Sequence, residues 1–310
     1  MNSFMSDTLS SVSAWSPGHI SGLFCPIISY DPKKTGSIGA GIAIEQGVTV
    51  TITAAPQTTI HSISRTNTGS IREEWFEESI LEDLLKRMKV PTSLAIKTEC
   101  ALPLSSGFGL SAASLFALAY AARAFFHLPL SDLECATMAH EIEVLHRTGL
   151  GDVAGSMRGG IVYRPVPGIE GGITGTCIRY SKGDRVTALV LGPLVSDSIL
   201  TSNAILSRIK RAFPSKMPRT IKEFFEISYL FASQSGLMSA SVSHILQAAQ
   251  EAGVLASMTM LGEGVFALGD EGYAFLCAHA PDPKGIFICD IACSGPRIIE
   301  NYTLKKRECT

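Results

Sequence analysis

The segment PLSSGFGLSAASLFALAY, residues 103–120, constrains this chain more than any other stretch, because two glycines and several serines directly precede a strongly helical run. Gly107 and Gly109 lack side chains, so an anion can approach their backbone N–H groups closely. The helix that follows adds unsatisfied N–H groups and the positive end of its dipole. Ser111 falls in the first turn, within reach of a phosphate oxygen or a cation. The segment predicts a phosphate-binding loop, with a glycine turn and a serine helix cap as the alternative.

The composition limits the classes of partner. The chain is 46% hydrophobic and only 17% charged, which excludes disorder and is compatible with a buried subunit interface, as in a homodimer. Its 26 basic and 28 acidic residues nearly cancel, so neither nucleic acid nor a membrane surface is an expected partner. The eight cysteines form no CxxC pair, which favours reduced thiols over a zinc site. With no signal-peptide pattern and no apolar run long enough for a bilayer, we expect a cytoplasmic protein.

The order of helical and strand patterns predicts an α+β fold with two lobes. We expect the first lobe to span residues 1–180 and the second 181–310, with the boundary in the loop region before Arg185. Residues 70–90 and 110–126 are predicted as helices, and Ser131 with Glu134 has the pattern of a capping box at the start of a further helix. The predicted strands of the second lobe are RVTALVLGP, ASMTM, GVFALG, YAFLCA and GIFICDI.

The glycine loop resembles the phosphate-binding motif of the GHMP small-molecule kinases, PxxxGLGSSAA. Phe108 and Leu110 depart from it, and the change at Leu110 removes one hydroxyl. The positions that match are Pro103, Gly107, Gly109, Ser111, Ala112 and Ala113.

Two further motifs of these kinases have weaker counterparts. SPGHISGLF resembles the first motif, with His19 in place of the usual basic residue. SMTMLGEGVFALG resembles the third, with Gly262 and Gly264 as a tight turn beside the phosphate loop. Within the superfamily the chain is most similar to the archaeal pantoate kinase family, through SPGHISGLF, DPKKTGSIGAGIAI, GFGLSAA, HEIEVLHRTGLGD and GGIVYRPVPG.

The resemblance implies a two-lobed GHMP kinase fold, with an N-terminal lobe like domain 2 of ribosomal protein S5 and a ferredoxin-like C-terminal lobe. It also implies ATP and Mg²⁺ as cofactors, with the nucleotide between the lobes. The residues expected to bind the nucleotide are Pro103, Ser106, Gly107, Phe108, Gly109, Ser111 and Ala112.

The segment HEIEVLHRTGLGD carries the candidate catalytic groups. By resemblance, Glu143 and Ser111 hold the metal, and Asp152 is the catalytic aspartate that orients or deprotonates the acceptor hydroxyl. A helix cap is the alternative role for Asp152. His140 lies three residues before Glu143, on the same helix face, and is a candidate substrate contact; a structural histidine is an equal alternative.

A hydroxy-acid substrate needs a cationic partner for its carboxylate, preferably an arginine fork. Arg164 is our first candidate, ahead of Arg158, and a surface arginine is the alternative. Ser37 and Ser196 are candidate hydroxyls for the remaining substrate oxygens.

The resemblance implies transfer of the ATP γ-phosphoryl group to the primary hydroxyl of pantoate, giving 4-phosphopantoate for coenzyme A biosynthesis. Two alternatives stay open: a GHMP kinase of the homoserine or mevalonate type, and a non-catalytic metabolite sensor with the same fold.

Overall fold

The structure is a computed structural model, and it describes residues 9–76, 80–91, 93–192 and 202–303. The strands in these ranges are β1 (Leu9–Ile27), β2 (Gly36–Ala54), β3 (Thr59–Arg65), β4 (Ile71–Phe76), β5 (Leu94–Pro103), β6 (Ile161–Arg164), β7 (Thr176–Cys177), β8 (Arg185–Gly192), β9 (Ala256–Met258), β10 (Glu263–Leu268), β11 (Ile286–Asp290) and β12 (Arg297–Thr303). The helices are α1 (Ile80–Arg87), α2 (Leu110–Phe125), α3 (Asp132–Leu145), α4 (Asp152–Ser156), α5 (Gly168–Thr174), α6 (Asn203–Ala212), α7 (Ile221–Ser235), α8 (Ala240–Glu251) and α9 (Gly269–His279).

The larger sheet has the order β12-β1-β2-β5-β3-β4, and β6 pairs with β2 and β7 beside it. The β3–β5 pair is parallel and the other pairs are antiparallel. The 19-residue strands β1 and β2 run along each other and form its centre. Register shifts after Ser16 and after Ser21 bracket the stretch of β1 that contains His19.

Helix α2 is apolar almost all round because it is covered on several sides. It packs on β1, β2 and α3, and eleven of its sixteen residues are buried. A helix with this pattern belongs in a core rather than on a surface. Its N-terminus is therefore held rigidly beside β1, where the glycine loop enters.

Four strands form the smaller sheet, in the order β11-β8-β10-β9. Helix α7 joins this sheet to the larger one, because Phe231 packs edge-on against Phe24 of β1 and Phe225 packs against Phe266 of β10. A single cluster of buried apolar residues consequently includes side chains of both sheets.

Two predicted elements differ from the structure. Residues 70–90 were expected to form one helix, but Ile71–Phe76 is a strand and only Ile80–Arg87 is helical. This strand pairs with β3 along its length, and Trp75 lies opposite His61 and stacks on its ring, with centroids 4.3 Å apart.

YAFLCA was predicted as a strand and lies in α9 instead. Gly272, Phe275 and Leu276 are its buried residues, at helical spacing, whereas a short apolar run alone does not distinguish a helix from a strand. Helix α2, the capping box at Ser131 and the other four strands of the second half are confirmed.

The last described strand returns to the larger sheet, where β12 pairs with β1. The division of the chain at residue 180 stays a prediction. Within the described part of the chain, every helix is too short or too polar to span a lipid bilayer.

Candidate active site

The glycine loop meets α2 without any side-chain cap. Gly109 is the N-cap residue, with a left-handed φ of 60°, and no side chain accepts a hydrogen bond from the first turn. Gly107 also has a positive φ, of 82°, which favours glycine at both positions. The first turn contains no acidic residue, and Ser111 is the second helical residue. This helix N-terminus thus has no side-chain cap, and its binding of an anion stays a prediction.

The glycine loop is held in place by contacts on both of its sides. The backbone N–H of His19 in β1 donates to the Phe108 carbonyl at 2.8 Å, and the Phe108 side chain is buried in the core. On the other side, a methyl group at Gly262 would lie 2.3 Å from the Ser106 carbonyl oxygen, so the turn before β10 touches the loop directly. Gly264 instead lies in β10, against Leu189.

A cleft of about 600 Å³ runs along this loop. All of the predicted nucleotide-binding residues line it: Pro103, Ser106, Gly107, Phe108, Gly109, Ser111 and Ala112. Ser37 and Asp152 line the same cleft. The predicted phosphate loop and the predicted catalytic aspartate therefore share one cavity.

Asp152 is the first residue of α4, and Gly151 before it is the N-cap residue, so the cap role considered for Asp152 is wrong. Its Oδ1 lies 2.7 Å from Nδ1 of His19, which is almost completely buried. A methyl group at Gly109 would lie 3.1 Å from Asp152 Cβ. The carboxylate is thus placed directly beside the helix N-terminus that follows the loop.

Glu143 lies behind the cleft wall and is fully buried. Neither of its carboxylate oxygens has a hydrogen-bond partner among the described residues. A methyl group at Gly149 would lie 2.2 Å from Glu143 Oε1 and 3.0 Å from Asp152 Oδ2, so both carboxylates face this glycine. Burial raises the pKa of Glu143 and the Asp152 charge adds to this, whereas His140 opposes it.

Arg164 is 1% exposed, which excludes the surface role considered for it. Its Nη1 donates to the Gly151 carbonyl, whereas Nε and Nη2 have no partner among the described residues. Burial lowers the pKa of Arg164, while Asp152 and Glu143 act in the opposite direction. A methyl group at Gly151 would lie 3.1 Å from Arg164 Nη2 and 2.4 Å from Ser37 Oγ.

His140 is also fully buried, and it does not line the cleft. Its Nε2 donates to the Thr35 carbonyl at 2.8 Å, and its Nδ1 lies 3.5 Å from Glu143 Oε2. Burial lowers the pKa of His140, but the Glu143 carboxylate and the Thr35 carbonyl outweigh it, so the net shift is upward. Its contact with substrate stays a prediction.

The structure does not bring the remaining substrate candidates together. Arg158 is exposed and donates to the Ile173 carbonyl, away from the cleft. Ser196 lies outside the described residues. His19 is the site residue to which the sequence assigned no role. Its place in the first kinase motif, where a basic residue is usual, could have indicated a functional position.

Comparisons with known proteins identify the family of this chain. Residues 77–160 match the family described as GHMP kinases N terminal domain. The chain is 40% identical to the pantoate kinase of Methanospirillum hungatei over 292 residues, which cover 94% of this chain and 97% of that protein. It is 30% identical to the pantoate kinase of Thermococcus kodakarensis, over 83% of this chain and 87% of that protein.

Solved structures are similar over nearly the whole chain. A protein described as a phosphotransferase related to the CoA biosynthesis pathway has a TM-score of 0.72 and 26% identity, covering 93% of this chain and 98% of its own. The homoserine kinase of Cytophaga hutchinsonii has a TM-score of 0.61 at 14% identity, covering 96% and 99%, which supports the fold alone.

The chain belongs to the GHMP kinase superfamily, and its two-lobed α+β fold is confirmed. Kinases of this superfamily use ATP. Within it, the chain belongs to the pantoate kinase family, because its identity to the two archaeal relatives extends over most of each sequence.

Proposed function

We propose that this protein transfers the γ-phosphoryl group of ATP to the primary hydroxyl of pantoate, forming 4-phosphopantoate and ADP. The observation that carries the proposal is one cleft that contains both an uncapped helix N-terminus behind a glycine loop and the Asp152 carboxylate. An arginine with two unpartnered nitrogens lies immediately behind that cleft. The first feature suits the phosphates of ATP, the second a hydroxyl acceptor, and the third the carboxylate of a hydroxy acid.

The nucleotide phosphates would lie on the loop between Ser106 and Ser111. Gly107 and Gly109 let phosphate oxygens approach the backbone, and the α2 dipole favours their charge. Because Gly262 fixes the loop from the other side, these N–H groups are oriented before the ligand binds.

Asp152 would orient the acceptor hydroxyl and receive its proton. The hydroxyl oxygen forms a bond to the γ-phosphorus as the bond from that phosphorus to the ADP oxygen breaks. Phosphoryl transfer has a loose transition state, so the position of the hydroxyl matters more than early removal of its proton. A carboxylate beside the phosphate loop meets that need.

Ser111 in the cleft lining and Glu143 buried behind it are donors that fit a divalent cation. Glu143 has two buried oxygens without a close hydrogen bond, since His140 Nδ1 lies 3.5 Å from Oε2, and a cation or its water ligands would satisfy them. Among the described residues no three or more His, Cys, Asp or Glu side chains form a metal cluster, but Mg²⁺ needs only one or two carboxylates when phosphates supply other ligands. Glu143 and Ser111 would hold Mg²⁺, which when bound neutralises charge on the phosphates.

The pantoate carboxylate would be bound beside Gly151. Arg164 Nη2 and Ser37 Oγ both flank this glycine, and a carboxylate accepts hydrogen bonds from a guanidinium and a hydroxyl. His140 supports the same region by holding the Thr35 carbonyl, two residues before Ser37.

The test is an ATP-consumption assay with Mg²⁺ in which pantoate, homoserine, mevalonate and galactose are offered separately. We expect turnover with pantoate, and an Asp152→Asn variant that binds ATP normally but loses kcat by about 10²–10⁴-fold. Turnover only with another acceptor would reject the proposed substrate. Absence of turnover with every acceptor, with ATP still bound, would reject the proposed reaction and favour a metabolite sensor.

A further inference from the structure

His19 occupies a slot that three glycines leave open. It lies between the two register shifts of β1 and is 1% exposed. A methyl group at Gly41 would lie 2.3 Å from His19 Nε2, one at Gly155 would lie 2.4 Å from the same atom, and one at Gly109 would lie 3.3 Å from His19 Cβ. The surroundings are therefore matched to an imidazole ring, and they fix its orientation.

The hydrogen bond of this ring determines which nitrogen carries the proton. His19 Nδ1 lies 2.7 Å from Asp152 Oδ1, and an ionised carboxylate can only accept, so Nδ1 is the donor. His19 Nε2 has no partner among the described residues. It lies close to Arg164, because a methyl group at Gly155 would be 2.4 Å from both Nε2 and Arg164 Nη1.

The charges around the ring oppose a second proton on it. Asp152, Arg164 and Glu143 are the charged groups of this cluster, with the titratable His140 beside Glu143, and the Arg164 guanidinium lies on the Nε2 side. A proton on Nε2 would place a second buried cation against the arginine, without a hydrogen-bond acceptor. Burial lowers the pKa of His19 and Arg164 adds to this, whereas Asp152 opposes it, and the net shift is downward.

We propose that His19 is a positioning residue: a neutral imidazole protonated on Nδ1, which holds Oδ1 of Asp152 and leaves Oδ2 for the acceptor hydroxyl. This inference rests on the proposed role of Asp152 in phosphoryl transfer. His19 thereby fixes the carboxylate without supplying a positive charge to it. Arg164 already provides the nearby cation, and a neutral donor avoids placing a second buried cation beside it.

His19 stands at the position where GHMP kinases usually have a basic residue. A lysine at position 19 would bury a second cation beside Arg164. The neutral donor therefore suits this chain, in which the arginine has been brought into the same cluster.

The first test is ¹⁵N NMR of the histidine rings in the full-length protein at neutral pH, without substrates. His19→Asn identifies its signals by their absence. We expect Nδ1 to carry the proton and Nε2 to show the shift of an unprotonated nitrogen. A ring protonated on Nε2, or on both nitrogens, would overturn the proposal.

The second test compares two amides. The His19→Asn amide lies where Nδ1 was and can donate to Asp152, whereas the His19→Gln amide reaches the position of Nε2. We expect His19→Gln to lower kcat by about 10–100-fold with little change in KM for ATP, and to move the acidic limb of the pH–rate profile upward. The kcat of His19→Asn should be at least about tenfold higher than that of His19→Gln, and the acidic limb of its pH–rate profile should not move.

Equal losses in both variants with an unmoved profile would contradict the positioning role. His279→Gln, at a histidine that donates to the Phe275 carbonyl away from the cleft, is the control for the substitution itself. If the wild-type protein does not phosphorylate pantoate, the proposed function fails, and the NMR measurement still decides the state of His19.

Discussion

At the residue scale, the site depends on charged side chains that are buried rather than exposed to solvent. Glu143 and Arg164 have polar atoms without a hydrogen-bond partner among the described residues. Asp152 lies beside them and lines the cleft. Buried polar atoms without hydrogen bonds cost stability unless a ligand satisfies them. We therefore interpret these atoms as binding groups whose partners are substrate and cation.

Arg164→Lys should separate charge from geometry. Lysine keeps the positive charge but lacks the planar fork, so we expect KM for pantoate to rise by about 10–100-fold while KM for ATP changes by less than about twofold. Arg158→Lys is the matched control, because Arg158 is exposed and donates only to the Ile173 carbonyl. Steady-state kinetics of both variants, with thermal unfolding to confirm folding, measure the difference. Equal effects of the two substitutions would rule out a substrate role for Arg164.

His19 should also affect the pH dependence of stability. Its folded-state pKa lies below the ordinary value of 6.5, so the stability it contributes is present above that value and is lost as the pH falls through the folded pKa. Between about pH 7.5 and 5, the wild type should therefore lose more free energy of unfolding than His19→Asn, by up to about 1.4 kcal/mol per pH unit. Urea titrations at several pH values check this. Parallel pH curves for the two proteins would mean that His19 is not buried in its neutral form.

At the scale of elements, the glycine loop is held by the turn that precedes β10. Gly262→Ala would push a methyl group against the Ser106 carbonyl, at 2.3 Å, and against the Gly107 nitrogen, at 2.8 Å. Because neighbouring backbone must move, we expect a loss of about 1–3 kcal/mol in stability and a clear rise in KM for ATP.

Gly192→Ala is the control for that substitution, since among the described residues its methyl group would approach Glu263 Cγ alone, at 3.8 Å. Calorimetric titration with an ATP analogue and thermal unfolding measure both effects. Unchanged ATP affinity in Gly262→Ala would show that the turn does not support the loop.

Sequence reasoning identified the elements whose signals are local. The glycines and serines before α2 predicted where this helix begins, and the Ser131 capping box predicted the start of α3. Strand β4 was missed because its formation depends on pairing with β3, and α9 because its apolar run is short. The His19–Asp152 hydrogen bond joins residues 133 positions apart, and no local pattern records such a contact. The burial of Arg164 also results from tertiary packing, around Gly151 and Gly155, and a local sequence pattern does not show it.

At the scale of the whole molecule, the two sheets are not independent. Strand β12 returns to β1, the Met260 N–H donates to the Ser21 carbonyl at 3.3 Å, and Phe24 packs on Phe231. The cleft is lined by the glycine loop and also by Met260 and Leu261, which lie between the strands β9 and β10 of the smaller sheet. Phosphates held on the loop would therefore be enclosed by residues from both sheets.

The shared core predicts cooperative unfolding. Trp15 and Trp75 lie in β1 and β4 of the larger sheet, so their fluorescence reports on that sheet, whereas far-ultraviolet circular dichroism reports on all elements. We expect the two signals to give the same urea midpoint. A fragment of residues 1–180 lacks β12 and α7 and should show no cooperative transition. Two separate transitions in the full chain, or a stable fragment, would show that the lobes fold independently.

The central claim is that a phosphoryl group is delivered to the primary hydroxyl of pantoate, and ³¹P NMR of the product tests it most directly. The protein is incubated with ATP, Mg²⁺ and pantoate, and the new phosphate ester is observed without proton decoupling. We predict a triplet, because an ester on the primary hydroxyl couples to the two protons of a methylene group. A doublet, from an ester on the secondary hydroxyl, or the absence of any new ester, would contradict the account.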